Sequence, residues 1–156
     1  MATEDLTGAL DQAGVTYELL PHPRTETAVA EAEALGLSPD EVAKTLVLTT
    51  PEGYVRAVIP ASCRIDLRKL GELHGTGRKQ VHLASEDALA RDYSEFDLGA
   101  VPPLGGARRD SVVVDTRLTD REMIVLEAGA HDRSLRMKTS DLVRTANAQV
   151  ADICQD

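Results

Sequence analysis

The chain has 156 residues, 42% of them hydrophobic and 28% charged, which is typical of a globular protein long enough to bury its own core. Its formal net charge of -9 argues against broad, sequence-independent binding to DNA, which requires a basic surface. No apolar stretch reaches the length of a membrane span and the N-terminus lacks a secretory signal, so we expect one cytoplasmic domain over residues 1–156 with no membrane contact. The four histidines and two cysteines lack metal-ligand spacing, so we predict no metal and no cofactor.

The first half of the chain predicts helices beside a hairpin. The predicted elements are a helix over residues 6–13, a strand over 15–20, an Ala-rich helix that begins after Thr25 or Thr27 and ends at Leu35, a capped turn over 38–41, and a hairpin of strands 46–48 and 55–59. Glycines and prolines mark the breaks, because proline cannot continue a hydrogen-bonded ladder and glycine commonly ends a helix.

The second half predicts short helices and apolar strands. The predicted elements are helices over residues 67–73 and 86–91 capped by Asp66 and Ser85, strands over 112–114 and 123–126, a short last strand over 135–137, and a C-terminal helix from Thr139 with a break near Asn147, on which Val143, Ala146, Val150 and Ile153 are available to pack. The continuous apolar runs at 112–114 and 123–126 indicate strands buried on both faces. This order predicts an α+β fold, with helices around a mixed, mainly antiparallel sheet or a partly closed barrel, and not a doubly wound nucleotide fold.

Three features are candidates for a ligand site. Residues 97–106, here called the proline loop, contain a Gly-x-x-x-Pro pattern that is stiff at its prolines and turns main-chain amides toward a ligand, although an ordinary surface turn has the same composition. Lys44 enters an apolar strand outside any charge run, so its ammonium either faces a cleft or blunts a strand edge. His131 follows Gly129 and Ala130 near a strand end, and it is either a substrate contact or a structural histidine.

Two further residues are weaker candidates. Cys63 has no histidine beside it in the sequence, so a small core residue is the alternative to a nucleophile. Asp115 directly follows a run of valines, and it either points into a cleft or is a solvated turn carboxylate.

The order of these motifs resembles a known family. Lys44 with Thr45, then the proline loop, then the Glu-Ala-Gly-Ala-His-Asp sequence at 127–132 are similar to the freestanding aminoacyl-tRNA editing domains of the YbaK and prolyl-tRNA-synthetase-associated family. The resemblance covers nearly the whole chain. It implies a YbaK-like fold and a trans-acting deacylase that hydrolyses the ester of a mischarged tRNA, typically the tRNA for proline, with a prolyl-tRNA synthetase as a candidate partner.

The resemblance also implies roles for individual residues. Lys44 orients the substrate, and loop amides beginning at Gly99 stabilise the developing oxyanion, with the ribose hydroxyl of the substrate assisting. The implied substrate contacts are Thr45, Ala100, Val101, Pro102, Pro103, Leu104, Gly105, Gly129 and His131. The basic pairs Arg78 with Lys79 and Arg108 with Arg109 either hold tRNA phosphates or are solvated charges. We expect Lys44, the proline loop and His131 to converge on one cleft.

One departure from the family pattern bears on the substrate. Members that clear cysteine often carry Gly-Ile-Ser-Pro in the loop, whereas this chain has a proline, Pro102, in place of the serine and so lacks that hydroxyl donor. Alanine, serine, threonine or another small amino acid are the open candidates. The alternative functions are a non-catalytic module that binds a nucleotide, a tRNA end or a protein in the same cleft, and a cysteine-dependent ester hydrolase that uses Cys63.

Overall fold

The computed structural model describes residues 2–156. Its helices and strands are, in chain order, α1 (Ala2–Gln12), β1 (Tyr17–Pro21), α2 (Ala28–Ala34), β2 (Val42–Thr50), β3 (Gly53–Pro60), α3 (Leu67–Leu73), β4 (His82–Leu83), α4 (Glu86–Asp92), β5 (Ser111–Asp115), α5 (Thr116–Thr119), β6 (Met123–Ala130), β7 (Arg133–Lys138), α6 (Thr139–Thr145) and β8 (Gln149–Ala151). Short 3-10 turns lie at Pro39–Glu41 and Arg78–Gln80.

The strands form one mixed sheet. The hydrogen-bonded order is β1-β7-β6-β2-β3-β5-β8, and β4 pairs with the far end of β2. Antiparallel pairing joins β1 to β7, β6 to β7, β2 to β3 and β2 to β4, and parallel pairing joins β2 to β6, β3 to β5 and β5 to β8. The predicted α+β fold with a mainly antiparallel sheet is therefore confirmed. The parallel join between β2 and β6 matters most for function, because it sets two strands from distant parts of the chain side by side.

Local chemistry determines where several helices begin. The side chain of Thr27 accepts a hydrogen bond from the amide of Ala30, and Ser85 does the same at the start of α4. Asp66 accepts from two amides at the start of α3. These caps satisfy donors that the first helical turn leaves unpaired, and the predicted caps are confirmed.

The C-terminal segment differs from the prediction in two ways. The predicted last strand is not the last, because residues Gln149–Ala151 form β8 and pair in parallel with β5. Val150 was expected to pack from a helix, but it lies in β8 with 40% of its surface exposed. The helix ends at Thr145, and Asn147 has a left-handed backbone with φ of 49° that reverses the chain. Strand β4 and helix α5 are further elements that the sequence pattern did not indicate.

Aliphatic side chains fill the core on both sides of the sheet. One cluster packs α1 and α6 against β6 and β7, a second packs α3 beneath β3 and β5, and a third packs α2 against β2 and β6. Among residues 2–156, no helix is long and apolar enough to cross a bilayer. Arg56 is one of several charged exceptions to this apolar interior, since it lies within β3 and is only 1% exposed.

Candidate active site

A cavity of about 270 Å³ opens beside the parallel join of β2 and β6. Its walls come from the start of α2 (residues 26–29), from β2 (residues 43–46), from Ala61, from the proline loop (residues 99–101) and from Glu127 on β6. The register explains why β2 and β6 meet here, since Ala43 pairs with Leu126 and the next residues along the two strands are Lys44 and Glu127. The parallel join thus brings a lysine and a carboxyl group to one cavity.

Lys44 is half-buried in the cavity wall, and it is the third residue of β2 instead of preceding the strand. Its ammonium lies 3.4 Å from the carbonyl oxygen of Ala61, a contact too long for a strong hydrogen bond. Among residues 2–156, no carboxylate comes within ion-pairing distance of it. Burial lowers the pKa of this lysine from its ordinary value of 10.5. The ammonium is therefore available for a ligand.

The first half of the proline loop supplies backbone donors to the same cavity. The amide of Ala100 is already used, since it donates to the carbonyl oxygen of Asp97 at 2.9 Å. Within the part of the chain that the structure describes, the amides of Gly99 and Val101 donate to no atom. Gly99 has φ of 84°, a conformation that favours glycine. Gly99 and Val101 thus provide two unused amide donors in the segment that faces Lys44.

His131 and Glu127 form a buried pair behind this segment. The His131 side chain is only 3% exposed, and its Nε2 lies 2.7 Å from the carbonyl oxygen of Leu98. Its Nδ1 lies 2.9 Å from Oε2 of Glu127. Burial, together with the nearby carboxylates of Asp97 and Glu26, raises the pKa of Glu127 to about 8. Glu127 is a site residue that sequence reasoning missed, although a single carboxyl group within the apolar strand β6 was the available signal.

The second half of the proline loop faces elsewhere. Pro103, Leu104 and Gly105 line a second cavity of about 770 Å³ together with Arg108 and Arg109. The carbonyl oxygens of Pro102 and Gly105 accept hydrogen bonds from the buried guanidinium of Arg56, at 3.0 and 3.1 Å. The structure therefore brings Gly99, Ala100 and Val101 to Lys44 and Thr45, and it places the four residues that follow them against other neighbours.

Two more predicted contacts lie close to the cavity without lining it. An ideal Cβ on Gly99 would sit 3.7 Å from Cε1 of His131, so the imidazole is next to the loop. Gly129 has φ of 87° at an irregularity of β6, and its carbonyl oxygen accepts from the amide of Asp97 at 2.9 Å. Lys44, the start of the loop and His131 therefore lie close together, with His131 behind the loop.

The predicted basic pairs lie outside the small cavity. Arg78 and Lys79 are exposed on a 3-10 turn. Arg108 stacks on the ring of Tyr54 at 4.8 Å from its centroid and forms an ion pair with Asp110. Arg109 is exposed, and its guanidinium donates to the carbonyl oxygen of Gly106 at 2.9 Å.

The two weaker candidates have other surroundings. Asp115 is fully buried, accepts from the amide of Arg117 at the start of α5 and from the amide of Ile153, and is thus neither a cleft residue nor a solvated turn carboxylate. Cys63 is partly buried against the cluster beneath β3 and β5. Among residues 2–156, no group of three side chains is arranged to hold a metal ion.

A half-buried ammonium, two unused amides and a carboxyl group with a raised pKa surround one small cavity, an arrangement that is chemically able to bind and polarise a carbonyl group. Residues 22–145 match the aminoacyl-tRNA editing domain family, and the chain belongs to that family. The multifunctional Ser/Thr-tRNA deacylase ProXp-y of Escherichia coli K12 is 27% identical over 152 residues, which cover 94% of this chain and 89% of that protein.

Two further proteins are similar. EbsC of Enterococcus faecalis, whose name gives Cys-tRNA(Pro)/Cys-tRNA(Cys) deacylase as a candidate activity, is 26% identical over 129 residues, covering 81% of this chain and 76% of that one. A solved structure described as a candidate trans-editing enzyme for prolyl-tRNA synthetase superposes with a TM-score of 0.88 at 24% identity, covering 99% of this chain and 98% of that one. The predicted family, fold and aminoacyl-tRNA deacylase activity are confirmed.

Proposed function

We propose that this protein clears a small, wrongly attached amino acid from the tRNA for proline, and that the cavity beside Lys44 is where the ester is cut. The observation that carries the proposal is the meeting of an unpaired ammonium with the unused amides of Gly99 and Val101 at one cavity. The names of the similar proteins support it, because they refer to Ser/Thr-tRNA, Cys-tRNA(Pro) and prolyl-tRNA synthetase.

Ester hydrolysis requires a site that stabilises the negative charge of the transition state and holds the substrate in position. Water adds to the ester carbonyl, the bond to the ribose oxygen breaks, and that oxygen takes a proton, which releases the free amino acid and intact tRNA. The negative charge that develops on the carbonyl oxygen is stabilised by the amides of Gly99 and Val101, each such donor contributing about 3 kcal/mol. Lys44 holds the terminal phosphate or the carbonyl in position, because no carboxylate of residues 2–156 competes for its ammonium.

The size of the cavity limits the amino acid. Ligand sites usually enclose about 300–1,000 Å³. At about 270 Å³ the cavity beside Lys44 is at the small end, and Ala28, Ala43 and Val101 give it apolar walls. The chain has Pro102 where members of the family that clear cysteine often carry a serine, so we expect alanine, serine or threonine as the substrate in preference to cysteine. Discrimination between these depends on whether a polar group of the site is left unpaired.

The two basic pairs bind the phosphates of the tRNA. Arg108 is held by its stacking on Tyr54 and by Asp110, so little side-chain freedom is lost when it meets a phosphate. Arg109, Arg78 and Lys79 are exposed and add further phosphate contacts. Because the chain as a whole carries a net charge of -9, these few contacts hold one tRNA end without favouring long duplexes. The reaction then takes place in the cytoplasm, close to a prolyl-tRNA synthetase.

Deacylation of a panel of charged tRNAs tests the proposal. Purified tRNA for proline is charged in turn with alanine, serine, threonine, cysteine and proline, and the ester remaining is followed for wild type, Lys44→Ala and the exposed control Lys138→Ala. We expect one or more small mischarged species to be hydrolysed, with a loss of about 100-fold in Lys44→Ala and no loss in the control.

The same panel distinguishes the alternatives. If folded wild type hydrolyses none of these species or other charged tRNAs, while Lys44→Ala only weakens tRNA binding, the protein is a binding module. If Cys63→Ser or thiol alkylation abolishes hydrolysis, the reaction is cysteine-dependent. Either result would overturn the assignment of the ester-cutting site to Lys44 and the loop amides.

A further inference from the structure

An irregularity near the end of β6 brings Glu127, on that strand, together with His131, the first residue after it. Between Glu127 and Ala130 the pairing of β6 with β7 shifts, and Gly129 takes up the shift with φ of 87°. In a regular strand, residues four apart lie about 13 Å apart along the chain direction. Here Glu127 and His131 approach to 2.9 Å between Oε2 and Nδ1. The strand therefore bends where a carboxyl group must reach an imidazole.

The hydrogen bond on the other side of the ring determines its tautomer. Nε2 of His131 lies 2.7 Å from the carbonyl oxygen of Leu98, and a carbonyl oxygen only accepts, so Nε2 carries a proton and donates. In a neutral imidazole Nδ1 then holds a lone pair. A carboxylate at 2.9 Å would repel that lone pair, whereas a protonated carboxyl group donates to it. The two groups are within bonding distance but not aligned, so rotation of the carboxyl group completes the bond.

We infer that Glu127 is a positioning residue for the editing reaction: its carboxyl group holds the imidazole of His131, and the imidazole holds the Leu98 carbonyl that sets the Gly99 amide in the cavity wall. This inference rests on the proposed function, because the Gly99 amide is taken as an oxyanion donor. The contact between ring and loop is direct, since an ideal Cβ on Gly99 would sit 3.7 Å from Cε1 of His131. Glu127 itself acts through the ring and need not touch the reacting atoms.

Charged groups on three elements surround the carboxyl group. Asp97 from the proline loop and Glu26 from the segment before α2 raise the pKa of Glu127, and Arg24 opposes them. Glu31 on α2 is a second buried carboxyl group, and Glu127 contributes to the raised pKa of Glu31. Because burial is the main cause and brings the pKa to about 8, the carboxyl group is a donor at neutral pH. It loses that role as the pH rises through about 8.

Two substitutions at this position separate positioning from proton abstraction. A glutamine side chain keeps a donor for Nδ1 and cannot titrate, whereas alanine removes the donor. We expect the wild-type rate to fall above pH 8, and we expect Glu127→Gln to keep kcat within about 3-fold at pH 7 and to remove that fall. We expect Glu127→Ala to lower kcat by about 10-fold to 100-fold with little change in KM. Glu18→Gln, an exposed site on β1, is the matched control, and rates are corrected for spontaneous ester hydrolysis at each pH.

Nitrogen NMR of the histidine rings tests the inference without reference to deacylation. With ¹⁵N-labelled histidine, wild type and Glu127→Gln are expected to show His131 protonated at Nε2 and unprotonated at Nδ1 at pH 7, and Glu127→Ala to show a changed or mixed tautomer. A wild-type ring protonated at Nδ1 would overturn the inference even if the alanine variant fails to fold. Loss of all activity in Glu127→Gln would also overturn it, because it would make Glu127 a base. If wild type shows the expected tautomer but hydrolyses nothing, only the proposed function fails.

Discussion

Replacement of Arg56 by methionine should remove the anchor of the proline loop and destabilise the whole protein. The guanidinium is almost fully buried, with the side chain 2% exposed, and its Nε lies 3.2 Å from Asp110. Two further donors hold the carbonyl oxygens of Pro102 and Gly105. Methionine has a similar reach but no donor, so it leaves a carboxylate and two carbonyl groups to find new partners.

The expected magnitude follows from what Asp110 retains. Removing one member of a buried ion pair usually costs about 3–5 kcal/mol. Asp110 still accepts from the hydroxyl of Tyr93 at 2.5 Å and from Arg108 at 3.2 Å, so we expect the lower end, about 3 kcal/mol. With a urea dependence of about 2 kcal/mol per molar, the unfolding midpoint should fall by about 1.5 M. The melting temperature should fall by about 6–12 °C.

Urea unfolding followed by circular dichroism is the assay, with Arg109→Met as the matched control. Arg109 is exposed and donates only to carbonyl oxygens, so its replacement should change the free energy of unfolding by no more than about 0.5 kcal/mol. A loss below about 1 kcal/mol in Arg56→Met would refute the reasoning, because it would mean that Tyr93 and Arg108 alone satisfy Asp110 and that the loop does not depend on the guanidinium.

Two further predictions concern stability. Burial raises the pKa of Glu31 from 4.5 to about 8, so the native chain binds one more proton than the unfolded chain between these values, and stability should fall as the pH rises from 5 to 8. In urea titrations at the two pH values, Glu31→Gln should remove up to about 4 kcal/mol of that fall in the free energy of unfolding. The exposed control Glu33→Gln should leave the fall unchanged. The same dependence of unfolding free energy on pH in all three proteins would contradict the assignment. At Gly105, where φ is 91° and an added Cβ would lie 2.8 Å from the carbonyl oxygen of Asp5, alanine should cost about 2–4 kcal/mol of unfolding free energy. Gly75 also has a positive φ, 69°, but has open space around it, so Gly75→Ala measures the cost of backbone strain alone. Equal melting temperatures for the two variants would contradict a cost from the close approach at Gly105.

Capping and turn chemistry could be predicted because it is local. The hydroxyl of Thr27 and the carboxylate of Asp66 act on amides two or three residues away, so the sequence window contains both partners. The apolar run at 112–114 likewise predicts a buried strand from its own composition, and all three valines are buried. The resemblance to the family then indicated Lys44 as a site residue, since the local composition alone does not distinguish a cleft lysine from a strand-edge lysine.

Strand β8 could not be predicted for the opposite reason. Its three residues, Gln149–Ala151, are mostly exposed and show no alternation of apolar and polar side chains. They form a strand because β5 offers an open edge, with Val114 pairing Val150 in parallel. That edge lies 36 residues away in the chain, so no local pattern contains it.

The different orientations of the two halves of the proline loop also could not be predicted from the local sequence. The loop was interpreted as one binding surface, yet the structure turns its first half to Lys44 and its second half to the larger cavity. The cause is Arg56, which lies in an apolar strand far earlier in the chain. Arg56 and Glu127 share one signal that was passed over, a single charge within an otherwise apolar strand. Such a charge is costly to bury unless it is paired, and is for that reason informative.

Two tyrosine rings next to Arg56 make the anchor of the proline loop accessible to ultraviolet spectroscopy. The chain has three tyrosines and no tryptophan. Tyr54 and Tyr93 lie edge to face with ring centroids 5.5 Å apart, and their hydroxyls donate to Asp92 and Asp110. Only Tyr17, on β1, lies apart from them. Two of the three tyrosines therefore lie at the anchor of the proline loop, so near-ultraviolet dichroism provides an optical readout of that anchor with no added label.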